Sequence, residues 1–146
     1  MVGPERNVQW LNRILDSWCF YTYLSALNNG DLNQVLSLFT EDAVVVSPLY
    51  GEILAKDFYK ELFSDTEQSE TTLLTVFDSS KNDDSIALHF RYRWTLQSKE
   101  IVEFECVDVF NLTEDKTLFT RLTIIYDTYP VRKKHSESQR VLCQIT

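Results

Sequence analysis

Two stretches late in the chain alternate in step with each other, and together they fix more of the fold than any other feature. Residues 85–96 place Ile86, Leu88, Phe90, Tyr92, Trp94 and Leu96 on one side and His89, Arg91, Arg93 and Thr95 on the other. A period of two is that of a strand with one face in a core. The next stretch repeats it, with Val102, Phe104, Cys106, Asp108 and Phe110 against Glu103, Glu105, Val107 and Val109. A turn centred on Ser98 sets Arg93 opposite Glu103 and Arg91 opposite Glu105 on the polar face, and Trp94 opposite Val102 and Tyr92 opposite Phe104 on the apolar one. Charge and hydrophobicity therefore agree on a single antiparallel register.

That register puts Asp108 opposite Leu88, a carboxyl in an otherwise apolar row. An isolated carboxylate there is costly to desolvate, so it must be paired, hydrogen-bonded or protonated. A last strand is expected over residues 118–129, after a turn at Thr113 to Lys116. Its parity stays open. A two-residue turn sets Arg121 opposite Asp108, whereas a bulge points it outward.

The first half of the chain reads differently. Leu11, Ile14, Leu15, Trp18, Phe20, Leu24 and Leu27 recur at helical spacing with no proline or glycine between Pro4 and Asn28, which predicts a long, deeply packed first helix. Asn29 and Gly30 end it, and Asp31, with Gln34 three places on, caps a second helix whose stripe is Leu32, Val35, Leu36 and Phe39. Ala43 to Val46 form a short β-branched strand ended by Ser47 and Pro48, with a turn to Gly51. A third helix follows to about Phe63, carrying Ile53, Leu54, Phe58, Tyr59, Leu62 and Phe63. Strand fills the rest, from Thr71 to Tyr129. Helices followed by strands argue an α+β domain over residues 1–130, and a basic tail, residues 131–146, carries Arg132, Lys133, Lys134 and Arg140.

The chain's 146 residues suffice for one core and a small cavity. Its formal charge of −8, with every acid except Glu137 before residue 131, repels phosphate backbones, so nucleic acid is not expected as a partner and the tail reads as a solvated terminus. No apolar run is long enough for a membrane, and the first residues lack a signal-peptide pattern. Three cysteines without paired spacing suit the reducing cytoplasm. Two separated histidines and scattered acids offer no metal-ligand spacing, and no glycine-rich phosphate loop is present, so neither metal nor cofactor is expected. Cys106 lacks a histidine base, since His89 lies on the opposite face and His135 in the tail, and it reads as a small buried hydrophobe.

The run from Tyr23 through Asn28, Asn29, Gly30 and Asp31, then Leu38, Phe39, Thr40, Glu41, Asp42, Ala43 and Val44, then Phe58 and Tyr59, resembles the SnoaL-like and ketosteroid isomerase-like families over residues 15–131. The resemblance implies the cone-shaped nuclear transport factor 2-like fold: three N-terminal helices on a strongly curved antiparallel sheet, with a pocket between them and frequent dimerisation. Ketosteroid isomerases hold an oxyanion with a tyrosine and a late aspartic acid, which correspond here to Tyr23 and Asp108. Their base corresponds to Ser47, whose hydroxyl takes no proton from carbon without a base of its own. Limonene epoxide hydrolases, on the same fold, set an arginine between two aspartates. Those aspartates resemble Asp108 and Asp127, while Cys106 stands at the arginine's position.

Asp108, Tyr23 and Asp127 are thus the candidate catalytic residues, and Ser47, Trp18, Phe58, Phe90, Tyr92, Phe104 and Cys106 the candidate pocket lining. Each has a plainer reading: a structural carboxyl, a core tyrosine, a partner for the tail's basic residues. Two functions stay open. One is proton-transfer chemistry of the isomerase, hydrolase or cyclase type on a small apolar molecule, and the other is a non-catalytic module that dimerises or binds a ligand or protein. Val107 and Val109, apolar on the outer face, point to a homodimer.

Overall fold

The computed structural model describes residues 19–81 and 84–145, with side chains through residue 139. Helix α1 covers residues 19–29. It is followed by α2 (Leu32–Leu36), β1 (Phe39–Ser47), β2 (Gly51–Leu54), α3 (Ala55–Asp65), β3 (Thr66–Asp78), β4 (Ser85–Leu96), β5 (Ile101–Leu112), β6 (Phe119–Ile125) and α4 (Tyr129–Ile145).

The α1–α2 junction follows from its sequence. Gly30 takes a left-handed φ of 62°, and the N–H groups of Gly30 and Asp31 return to the Leu27 and Ala26 carbonyls, closing the helix as glycine permits. Asp31 Oδ1 then accepts the Gln34 N–H at 3.0 Å and starts α2. The second helix is shorter than its stripe suggested. Phe39 opens β1 instead, pairing with Phe119, and it is buried there. Ile53 and Leu54, expected in the third helix, form β2 against Val45 and Val44, because two apolar residues after a turn fit a hairpin as well as a helix start.

The six strands run in the order β2-β1-β6-β5-β4-β3. The expected all-antiparallel, strongly curved sheet needs correction. β1 and β6 are parallel, which no hairpin forbids for strands so far apart in the chain, and the open sheet is not strongly curled. Between β4 and β5 every expected pair is present: Trp94 with Val102, Tyr92 with Phe104, Arg93 with Glu103, Arg91 with Glu105 and Leu88 with Asp108. A register shift between Asn111 and Leu112 then sets Ile124, not Arg121, opposite Asp108. Arg121 points outward, 3.4 Å from Glu52. β3 begins five residues before Thr71, and β6 stops at Ile125.

The solvated tail is also corrected. Residues from Tyr129 form a fourth helix, which adds a C-terminal element to the three helices expected ahead of the strands. Val131 is fully buried. Arg132 and Lys134 donate to the Pro48 and Ile101 carbonyls at 3.1 and 2.9 Å. The basic residues thus anchor the helix to the body.

Aromatic side chains fill the space between α1, α3 and the sheet. Phe110 and Phe119 lie 4.4 Å apart between ring centres, and the Tyr23 ring stands edge-on to Phe110 at 5.1 Å, each such pair contributing about 1 kcal/mol beyond its buried area. Among the described residues no helix is long and apolar enough to cross a membrane, and no group of three His, Cys, Asp or Glu side chains could hold a metal.

Candidate functional site

The inward face of β4 and β5 does not meet the helices everywhere. A cavity of about 60 Å³ remains, walled by Phe90, Tyr92, Phe104, Cys106 and Asp108 from the sheet and by Tyr23 and Phe58 from α1 and α3. Ser47, at the end of β1, completes one corner. Eight of the ten residues read from the sequence as catalytic or lining therefore share one space. Trp18 lies outside the described residues. Asp127 is not in the cavity: it is exposed and its Oδ1 accepts the Tyr129 N–H at 3.1 Å, at the start of α4. The pair of aspartates implied by the epoxide hydrolase resemblance is thus reduced to Asp108.

Asp108 is 2% exposed. Its Oδ2 accepts a long hydrogen bond of 3.3 Å from the Tyr23 hydroxyl, and Tyr23 lies 2.8 Å from the Tyr59 hydroxyl. With Tyr23 donating to Asp108, Tyr59 donates to Tyr23, giving a chain of hydroxyls from α3 through α1 to β5. Oδ1 has no partner; it and Thr40 Oγ1 are the two such buried side-chain atoms among the described residues. Burial raises the Asp108 pKa to about 7, offset in part by the Tyr23 hydrogen bond. Tyr23 and Tyr59 are pushed well above the ordinary tyrosine range, chiefly by burial. Burial likewise pushes the Cys106 thiol up, away from a nucleophilic thiolate.

Other polar groups around the cavity are occupied. Ser47 Oγ accepts the N–H groups of Leu49 and Tyr50 at 3.2 and 3.3 Å, which makes it a turn-forming hydroxyl. The Tyr92 hydroxyl meets Ser69 at 2.7 Å, and Trp94 donates to Thr66 at 2.6 Å. Asp108 Oδ1 is therefore the polar atom of this wall that a guest molecule could satisfy.

A second polar cluster was missed by sequence reasoning. Asp65, the last residue of α3, accepts from the Tyr50 hydroxyl at 2.5 Å and from Gln139 at 2.7 Å, and sits 3.0 Å from His135 Nε2. Burial acts to raise its pKa, but the hydrogen bonds from His135, Tyr50 and Gln139 together hold it below the ordinary carboxylate range. The spacing of His135 and Gln139, four apart on one helix face, was a usable signal. Tyr59 was visible too, but as one member of an apolar stripe.

A profile of the SnoaL-like domain matches residues 20–119, most of the chain. The chain belongs to the SnoaL-like domain family. No curated protein matches it. Among solved structures, this SnoaL-like domain is similar to a hypothetical protein of ketosteroid isomerase-like fold from Catenulispora acidiphila, in complex with trimethylamine (TM-score 0.66, 12% identity, 77% of this chain and 88% of that one). It is similar to SalBIII, an epoxide hydrolase/cyclase-like enzyme of pyran ring formation in the polyether salinomycin (TM-score 0.65, 17% identity, 78% and 92%). It is also similar to an LEH-like epoxide hydrolase of M. tuberculosis (TM-score 0.62, 15% identity, 88% and 94%). At such identities the likeness is one of fold.

Proposed function

We propose that this SnoaL-like domain binds a small, largely apolar molecule beside Asp108 and transfers a proton to an oxygen atom of that molecule. The observation that carries this reading is Asp108 Oδ1, buried, without a partner, on a carboxyl whose pKa of about 7 keeps much of it neutral at physiological pH. A neutral carboxyl donates from Oδ1 to an epoxide or ether oxygen as that C–O bond breaks, while water, or a hydroxyl of the same guest, bonds to the carbon and gives up its own proton to solvent. The carboxylate left behind is met by the Tyr23 hydroxyl, itself backed by Tyr59. Ser47 supplies no base, because its oxygen is engaged by two backbone N–H groups. Acid-assisted opening or cyclisation fits this set better than double-bond isomerisation, which needs a base to take the proton from carbon. The epoxide hydrolase and cyclase names among its structural relatives agree with that chemistry.

Styrene oxide, an apolar epoxide, tests the proposal. Diol formation should occur with the natural sequence and fall by about a hundredfold or more in Asp108→Asn, which keeps the shape but loses the acid. Equal rates in the two proteins would overturn the acid role.

We further read the domain as a cytoplasmic homodimer whose copies meet on the outer sheet face. Val107 and Val109 are half-buried there and Ile125 is 55% exposed. The ion pairs Arg91–Glu105 and Arg93–Glu103 lie alongside and offer both signs of charge to a second copy.

A further inference from the structure

At about 60 Å³ the cavity is far smaller than the several hundred Å³ that usually hold a ring-bearing ligand. Such a guest is admitted only where a wall gives way. The strands are tied along their lengths by backbone ladders, unbroken between β4 and β5, and Phe58 and Tyr59 of α3 are buried in the core. Helix α4 is held differently.

α4 packs against Trp94 and Tyr50, two residues that line the cavity. The His135 ring stacks on the Trp94 indole at 6.0 Å and 23°, and it stands edge-on to Tyr50 at 5.6 Å. Among the described side chains of α4, Val131 is the buried apolar one. The hydrogen bonds of the described side chains reach three separate seats: Arg132 to the Pro48 carbonyl, Lys134 to the Ile101 carbonyl, and His135 and Gln139 to Asp65. Water can replace each of these bonds as the helix lifts, whereas a packed apolar stripe has no such substitute. Asp65 is the only one of these seats to receive two bonds from α4, and it also receives Tyr50 from the cavity wall.

We propose that α4 is a displaceable lid, latched at Asp65 through His135 and Gln139, which lifts to let a planar, ring-containing molecule reach the cavity past Trp94 and Tyr50 and then closes again. The ligand part of this inference rests on the binding reading above; the latch does not. Lifting uncovers the indole and phenol faces that His135 now occupies, and a flat ring takes its place against them.

Two readouts on the whole chain separate these parts. Trypsin cuts after Arg132, Lys133 and Lys134 when α4 leaves its seat, and 2-naphthol is a fluorescent planar probe whose association rate is measured by stopped flow. Asp65→Asn and Gln139→Ala should each speed native tryptic cleavage at these sites and 2-naphthol association by about tenfold, the order expected for losing one buried hydrogen bond. Unchanged cleavage in both variants overturns the latch, and faster cleavage with unchanged association overturns the lid. Faster cleavage with no 2-naphthol binding by any variant upholds the latch and sinks the ligand-binding reading instead. Should the variants misfold, hydrogen exchange on the unsubstituted protein decides: amides of residues 132–139 should exchange as one group well ahead of those of β4, and a single common rate overturns the lid.

Discussion

Asp108 carries most of what a single residue reveals here. Its place in an apolar row followed from parity alone, since a strand whose neighbours on both sides face the core can point its own side chain nowhere else. What surrounds it did not follow. Tyr23 and Tyr59 lie 36 positions apart and meet only through the packing of α1 on α3, and nothing in a helical stripe distinguishes a tyrosine whose hydroxyl is used from one that fills space. Two outcomes are expected at this scale. The pKa of Asp108 is raised in the fold to about 7, so the native state keeps a proton that the unfolded chain releases near pH 4. Its share of stability is full below that point and is lost as pH rises to 7, a loss of roughly 4 kcal/mol for about three pKa units. Asp108→Asn removes the titration, so its melting temperature should gain on that of the natural sequence steadily from pH 4 to pH 7 and level off above. Tyr23→Phe deletes the donor that lowers the Asp108 pKa. The carboxyl should then titrate at higher pH than in the natural sequence, as read by its infrared C=O band, and an unchanged or lower midpoint would mean that the 3.3 Å contact is no hydrogen bond.

At the scale of elements, legibility tracked how strongly each segment's own pattern constrained it. β4 and β5 were readable because charge pairs and apolar pairs demand the same register. β2 and the end of α2 were not, because two or three apolar residues satisfy either period. α4 escaped for a different reason. Its described side chains are nearly all polar, and seats made of carbonyl oxygens and a carboxylate leave little apolar signal in that part. The β4–β5 turn contributes a prediction of its own. Lys99 holds φ at 75°, a left-handed conformation that is strained for any residue with a Cβ, while its ion pair to Glu67 is exposed and adds little. Lys99→Gly should therefore stabilise the domain by about 0.5 to 1 kcal/mol, once glycine's greater freedom in the unfolded chain is set against the relieved strain. Thermal unfolding measures it, and a drop in melting temperature would show that the Glu67 pair matters more than the strain.

For the whole molecule the outer sheet face sets the expectation. Half-buried Val107 and Val109 beside exposed Ile125 form an apolar strip bordered by charge, and covering it with a second copy removes that surface from water. Light scattering should report a dimer at tens of micromolar, roughly where stable interfaces are saturated, and Val107→Lys should shift it to monomer without loss of secondary structure. A natural sequence already monomeric at that concentration would remove the dimer from the proposal.

The parallel pairing of β1 with β6 also bears on how the domain is made. β1 pairs with β2 early but cannot pair with β6 until residues 119–123 exist, about half the chain's length after its own end at Ser47. The β3–β4–β5 meander closes on short turns and can form as it emerges, whereas Val44, Val45 and Val46, all β-branched, wait without a strand beside them on that edge. Tyr23 and Asp108, separated by 85 positions, make a contact that likewise spans most of the chain and forms late. The pocket is thus completed late in synthesis, with α4 alone still to follow, and a chain released before Phe119 holds a finished meander without the Ile124 and Tyr126 part of the wall.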